Sequence, residues 1–169
     1  MITIYDDKLN WLSMIEDYES LIFTRRFYKY GEFELEININ KNNTDKLEKF
    51  NIIVLNNNFK KAGIILHKEI GLDQDGEASE TLFIKGLTLD GLTTFRRIVP
   101  ETNSGYVSLQ GNQEAIMKGF VNNCFVNPTD VERKINLINT PNQNRGKTDK
   151  WRGSFEKLSD KLEEIGTYS

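Results

Sequence analysis

The sequence holds one cysteine, one histidine and three prolines among its 169 residues. Cys124 has no second thiol, so no disulfide closes within the chain. Cys124 and His67 together supply only two of the four ligands that a closed Cys/His zinc site requires. A serine-histidine-carboxylate triad could be built only around His67, and no serine stands in a Gly-x-Ser-x-Gly elbow. His67 follows Ile64-Ile65-Leu66 and reads as a strand residue. Also missing is an apolar run of the ~20 residues that a membrane span needs. Met1-Ile2-Thr3-Ile4-Tyr5-Asp6-Asp7 has neither a basic nor an apolar leader region, so synthesis in a reducing cytoplasm is expected. An excess of one charge is absent too: 22 Lys+Arg stand against 25 Asp+Glu, for a net charge of −3. No bulk attraction to nucleic acid or anionic lipid follows from that balance.

What is present is β patterning. In Phe33-Glu34-Leu35-Glu36-Ile37-Asn38-Ile39-Asn40 apolar and polar residues alternate without error, which puts Phe33, Leu35, Ile37 and Ile39 on one buried face, packed with Ile64 or Leu66 and with Leu82 or Ile84. Strand-like runs rich in β-branched and aromatic residues surround it, at Ile2 to Tyr5, Trp11 to Ile15, Leu21 to Tyr28, Ile52 to Leu55, Ala62 to Ile70 and Thr81 to Leu87. Turn residues separate them, among them Asn56-Asn57-Asn58 and an Asp75-Gly76 hairpin signal. A short helix is expected over Asp45 to Phe50, where Asp45 and Glu48 resemble a capping box.

Beyond about Leu92 the period changes. A helix is predicted over Gln113 to Val126 from the stripe Ile116, Phe120 and Cys124. A second is predicted over Lys150 to Ile165 from Trp151, Phe155, Leu158, Leu162 and Ile165, capped by Thr148 or Asp149 and closed by Gly166. Arg133 to Ile138 is a candidate strand between them. The expected class is α+β: a β-barrel or sandwich module over 1–95, then a smaller helical portion over 96–169 that starts a second domain.

Tests for chemistry return little. Gly146-Lys147-Thr148 lacks the earlier glycine of a phosphate loop, since Pro141 stands in its place. Asp73-Gln74-Asp75-Gly76-Glu77 lacks the ligand order of a calcium loop. Arg145, Lys147, Lys150 and Arg152 around Trp151 could contact nucleic acid, or form the solvated start of a helix. The 25 acidic residues neither show nor exclude hydrolysis by paired carboxylates. No catalytic, cofactor-binding or metal-binding residue is expected.

The segment Tyr18-Glu19-Ser20-Leu21-Ile22-Phe23-Thr24-Arg25-Arg26-Phe27-Tyr28-Lys29-Tyr30-Gly31-Glu32-Phe33-Glu34-Leu35 resembles the opening of a family of siphophage tail proteins from phages and prophages of Gram-positive bacteria. Leu82-Phe83-Ile84-Lys85-Gly86 and Arg96-Arg97-Ile98-Val99 follow in the family's order. The family is similar to baseplate hub and tail-tip proteins, whose first domain is a small β-barrel related to the tail tube. The resemblance implies a non-enzymatic structural part of the virion tail tip, joining the tube to distal tail proteins. It implies a homotrimer in the full-length assembly, with a monomer or weak oligomer for this segment alone. It marks Ser20, Arg25, Arg26, Tyr28, Gly31, Phe33, Gly86, Arg96 and Arg97 as motif or interface candidates. Arg25 and Arg26 could instead pair with Glu34 or Glu36 across strands. Two other functions are weighed: a carbohydrate-binding module using Tyr28, Tyr30 or Tyr106, and a cell-wall hydrolase.

Overall fold

The computed structural model describes residues 1–72, 78–141 and 143–168. The chain divides into two compact units, Met1–Asp90 and Gly91–Ser169.

The first unit is one antiparallel sheet of seven strands: β1 (Ile2–Tyr5), β2 (Trp11–Ile15), β3 (Ser20–Thr24), β4 (Glu32–Asn38), β5 (Ile52–Leu55), β6 (Asn58–Leu72) and β7 (Ala78–Thr88). Their order is β2-β1-β5-β6-β7-β4-β3. β6 joins the two halves, because its start pairs with β5 and its remainder with β7. Asn56 and Asn57 make the β5–β6 turn at φ 49° and 54°, the left-handed geometry that a two-residue hairpin needs and that asparagine tolerates. The Asp75-Gly76 hairpin signal lies outside the described residues.

The alternation in β4 does what its period dictates: Phe33, Leu35 and Ile37 are buried and Ile39 packs half-buried beside them. They share a core with Ile2, Ile4 and Ile15, with Ile53 and Leu55, and with Leu82 and Ile84. Strands from both halves therefore bend around one interior. From β6 it is Ile65 that enters this core, rather than Ile64 or Leu66. Ile64 stands opposite Ile52, and Ile52 belongs to a separate cluster with Val54 and Ala62. A register shift between Ile65 and His67 sets the strand's side chains anew.

The expected barrel needs correction. Closure requires every strand to be paired on both edges, and β2 and β3 stand at opposite ends of the order with one neighbour each. The sheet is open. β3 also ends at Thr24, well short of Tyr28, so Arg25 and Arg26 lie in the loop beyond it. The Asp45 to Phe50 helix reduces to one 3-10 turn, Thr44–Lys46, with no side-chain cap. The capping-box carboxylates are engaged elsewhere, Asp45 with Lys46 and Glu48 with Lys68.

The second unit contains β8 (Val107–Asn112), α1 (Gln113–Val121), β9 (Thr148–Gly153) and α2 (Leu158–Thr167). Asn112 caps α1 by accepting from the Ala115 amide at 2.9 Å. Past Val121 the helix widens into a π turn over Asn122–Val126, which keeps Cys124 and Phe125 buried with Ile116 and Phe120. The helix expected over Lys150 to Ile165 is two elements. Its first part is β9, antiparallel to β8 with Trp151 opposite Leu109, and only Leu158, Leu162 and Ile165 continue as a helical stripe. The pattern misleads because Trp151 has the right spacing to extend that stripe. Its true neighbours, Asp149 and Gly153, face the same side at a period of two. Neither Thr148 nor Asp149 caps a helix, and Gly166 lies inside α2. Arg133 to Ile138 is no strand: a 3-10 turn spans Val131–Arg133 and the Ile135 amide donates to Phe125 O at 2.8 Å. No helix among the described residues is long and apolar enough to cross a membrane.

Candidate functional site

Three of the motif residues lie close together in the first unit, where β4 pairs with β7 and the Phe33 ring reaches over to the middle of β6. Phe33 lies opposite Gly86. A Cβ on Gly86 would stand 2.5 Å from the Phe33 ring and 2.0 Å from Ile64 O, and one on Gly63 would stand 2.7 Å from the same ring. The aromatic ring thus covers two glycines on adjacent strands, which only residues without side chains permit. Gly31 begins the same segment. Its amide donates to Thr88 Oγ1 at 2.7 Å and its carbonyl accepts from the Thr88 amide at 3.0 Å. A Cβ there would stand 1.9 Å from Thr24 O. Gly31, Phe33 and Gly86 therefore set how closely β3, β4, β6 and β7 approach.

The polar motif residues are arranged differently. Ser20 opens β3 opposite Glu36. Arg26 pairs with Glu32 at 2.7 Å and also donates to Tyr30 O at 3.4 Å. Its partner is thus Glu32, two residues before the expected Glu34. Arg25 lines a cavity of ≈ 230 Å³ with Arg26, Phe59, Lys60 and Asp90. Tyr28 packs edge-on to Phe27 at 4.8 Å, and Phe27 is 90% exposed. The sequence marks Tyr28 but not Phe27, because Leu21 to Tyr28 reads as a continuous strand. The paired arginines that break its alternation were the available signal.

Arg96 and Arg97 belong to the second unit. Arg96 lies over the Phe125 ring at 5.3 Å and donates to Arg133 O at 3.2 Å. Arg97 donates to Phe155 O at 2.8 Å, while its own carbonyl accepts from Arg133 and from the Cys124 thiol. Burial pushes the Cys124 thiol above its ordinary pKa, against the pull of Arg133 and Arg96. Both arginines thus tie Ile98, a core residue, to the turns around it.

The remaining candidates fall in both units. His67 is exposed beside Glu69 at 3.2 Å. Tyr106 carries Arg152 over its ring at 4.4 Å, whereas Tyr28 and Tyr30 belong to the first unit. In the basic cluster Arg145 reaches Glu114 at 3.0 Å, and Trp151 packs against the core. Glu114 also holds Lys118. The Arg145 guanidinium first, then the Lys118 ammonium, hold the Glu114 carboxyl well below the usual carboxylate range. Lys41 bridges Asp17 at 3.0 Å and Glu19 at 2.8 Å, and lowers the Glu19 pKa. Among the described residues no cluster of three His, Cys, Asp or Glu side chains could hold a metal.

The model of the Siphovirus ReqiPepy6 Gp37-like protein family matches residues 1–169. The chain belongs to that family. It is a siphophage protein, and the sequence resemblance is sustained at that level. No curated protein matches the sequence significantly. For a Gp37-like chain the geometry above has a plain meaning: the motif glycines and Phe33 are spent on the sheet, while the arginines, Phe27 and Tyr28 remain at its surface or tie down turns.

Proposed function

We propose that this Gp37-like protein is a structural component of the phage particle, located at the tail tip as a baseplate hub-like part that joins the tail tube to distal tail proteins. The family match over the whole length carries the reading, because it makes a siphophage context the starting point. The sheet supports it. The motif residues do packing work: Gly86 lies beneath the Phe33 ring, and Arg96 and Arg97 are bonded to backbone carbonyls. In this reading the first unit is the hub's β module, the protein is not an enzyme, and three copies assemble in the full tail on a Gram-positive host's phage. Expression takes place in the host cytoplasm, and the protein ends in the virion.

The test is genetic and structural together. An early stop codon in the gene, introduced in a phage that carries it, should leave filled heads and no complete tails by negative-stain microscopy. Plasmid expression of the full protein should restore plaques. Complete, infectious particles made without the protein would refute a structural role.

A further inference from the structure

Sheet edges are hazards that proteins guard with charge, proline, bulges or covering side chains, because an uncovered edge pairs with another strand. The two edges of this sheet are guarded unequally. β2 has a register shift against β1 at Ile4/Tyr5, and Asn43 Nδ2 donates to Met14 O at 3.0 Å. β3, Ser20-Leu21-Ile22-Phe23-Thr24, has no charge, proline or glycine, and its ladder with β4 runs through five pairs without a shift. Its central outward side chain, Ile22, is 62% exposed.

The charges flanking β3 have opposite signs. At its start Asp17 and Glu19 share the single ammonium of Lys41, which leaves one negative charge in excess, and the exposed Glu16 adds another. At its end stand Arg25 and Arg26, both exposed, with Glu32 paired to Arg26. An antiparallel copy of the same strand inverts this order. With a two-fold axis at Ile22, residue 22 − k meets residue 22 + k, so Ser20 faces Thr24 and Leu21 faces Phe23, and the acidic flank of one copy, with Glu19 just before the strand, comes beside the basic flank of the other, with Arg25 just after it. Opposite charges brought close at both ends of the contact attract.

We propose that β3 is a self-pairing edge, and that two copies of this chain associate through antiparallel β3–β3 contact about a two-fold axis at Ile22. A second copy fits better than an arbitrary partner strand because the complementarity is internal to one sequence, with acidic start and basic end equidistant from Ile22. An isologous contact of this kind closes at two subunits. The strand is short, so the dimer is weak and concentration-dependent, and exposed charges make it weaker as salt rises. The inference is independent of the tail-tip reading.

Sedimentation velocity of the full chain across a dilution series tests it, with circular dichroism confirming the fold of each variant. Wild type should pass from dimer to monomer on dilution. Arg25→Glu brings a carboxylate beside the acidic flank at both ends of the contact and should raise the dissociation constant roughly tenfold or more, as should Ile22→Lys, which places two ammonium groups on the axis. Glu19→Lys should be equally impaired alone, yet an equimolar mixture of Arg25→Glu and Glu19→Lys chains should form a heterodimer, since the charges brought close at both ends then have opposite signs. Because Glu19 also contacts Lys41, a second variant guards against misfolding: Ile22→Cys should give a disulfide-linked dimer on mild oxidation, while the buried Cys124 stays reduced. A monomer at every concentration, a trimer, dimerisation indifferent to Arg25→Glu, or failure of the oxidised Ile22→Cys chain to crosslink would each overturn the proposal.

Discussion

Replacing Gly86 with alanine puts a methyl carbon 2.0 Å from Ile64 O and 2.5 Å from the Phe33 ring. Both neighbours are held. Ile64 lies in β6, paired to β5 on one side and β7 on the other, and the Phe33 ring is packed in the core. A clash with backbone cannot be relieved by a rotamer change, so β6 and β7 must separate or Phe33 must leave its place. Overpacking of a tight interior costs typically ~1–3 kcal/mol, and a backbone clash belongs at the upper end. Phe33→Ala removes the ring that covers Gly63 and Gly86, at ~3–5 kcal/mol. The double variant separates the two contributions. Deleting the ring relieves the Phe33 part of the alanine clash and leaves the Ile64 O part, so the combined loss should fall short of the sum by ~0.5–3 kcal/mol, as for side chains in direct contact. Urea unfolding followed by circular dichroism measures all four chains. Gly86→Ala within ~0.5 kcal/mol of wild type, the scatter of surface substitutions, or full additivity in the double variant, would refute the packing argument.

Other expectations follow from the same geometry. Leu35→Ala, at a fully buried site in the β4 face, should cost ~2–5 kcal/mol by the same assay. Glu114→Gln should lower the melting temperature at neutral pH and flatten its fall in acid. The folded-state pKa of Glu114 is depressed, first by Arg145 and then by Lys118, so its contribution is present above the ordinary carboxylate value of ~4.3 and is lost as pH falls below it. A melting-temperature titration from pH 7 to 2 checks this, and an unchanged acid limb would contradict it. A chain ending after Asp90 should melt cooperatively with a β-type spectrum, since the first unit has its own core; a non-cooperative melt would show that the second unit completes it.

The parts legible in the sequence are those where one local rule acts alone. β1, β2 and β5 occupy the expected spans because short β-branched runs between turns have little alternative. The β4 alternation fixed a buried face because β4 is flanked by β3 and β7 and has a single interior side. Failures came where two rules compete. Trp151 satisfies both a helical step to Phe155 and a β alternation with Asp149 and Gly153, and pairing with β8 decided for the strand. In β8, Val107-Ser108-Leu109-Gln110 alternates as well, but Gly105 and Gly111 shorten the run below a clear strand signal. The open sheet could not be foreseen, since strand count does not say which edges pair. The motif was visible as a pattern, but the meeting of Phe33 with Gly63 and Gly86 depends on a register between distant strands. Phe27 was hidden in a strand that stops at Thr24.

The central claim, that this Gp37-like chain is built into the tail tip, is tested most directly by immunogold electron microscopy of purified particles with antibodies raised against the full chain. The account predicts gold confined to the end of the tail distal to the head. Gold on the head or along the whole tube, or particles that carry none of the protein by mass spectrometry, would contradict it.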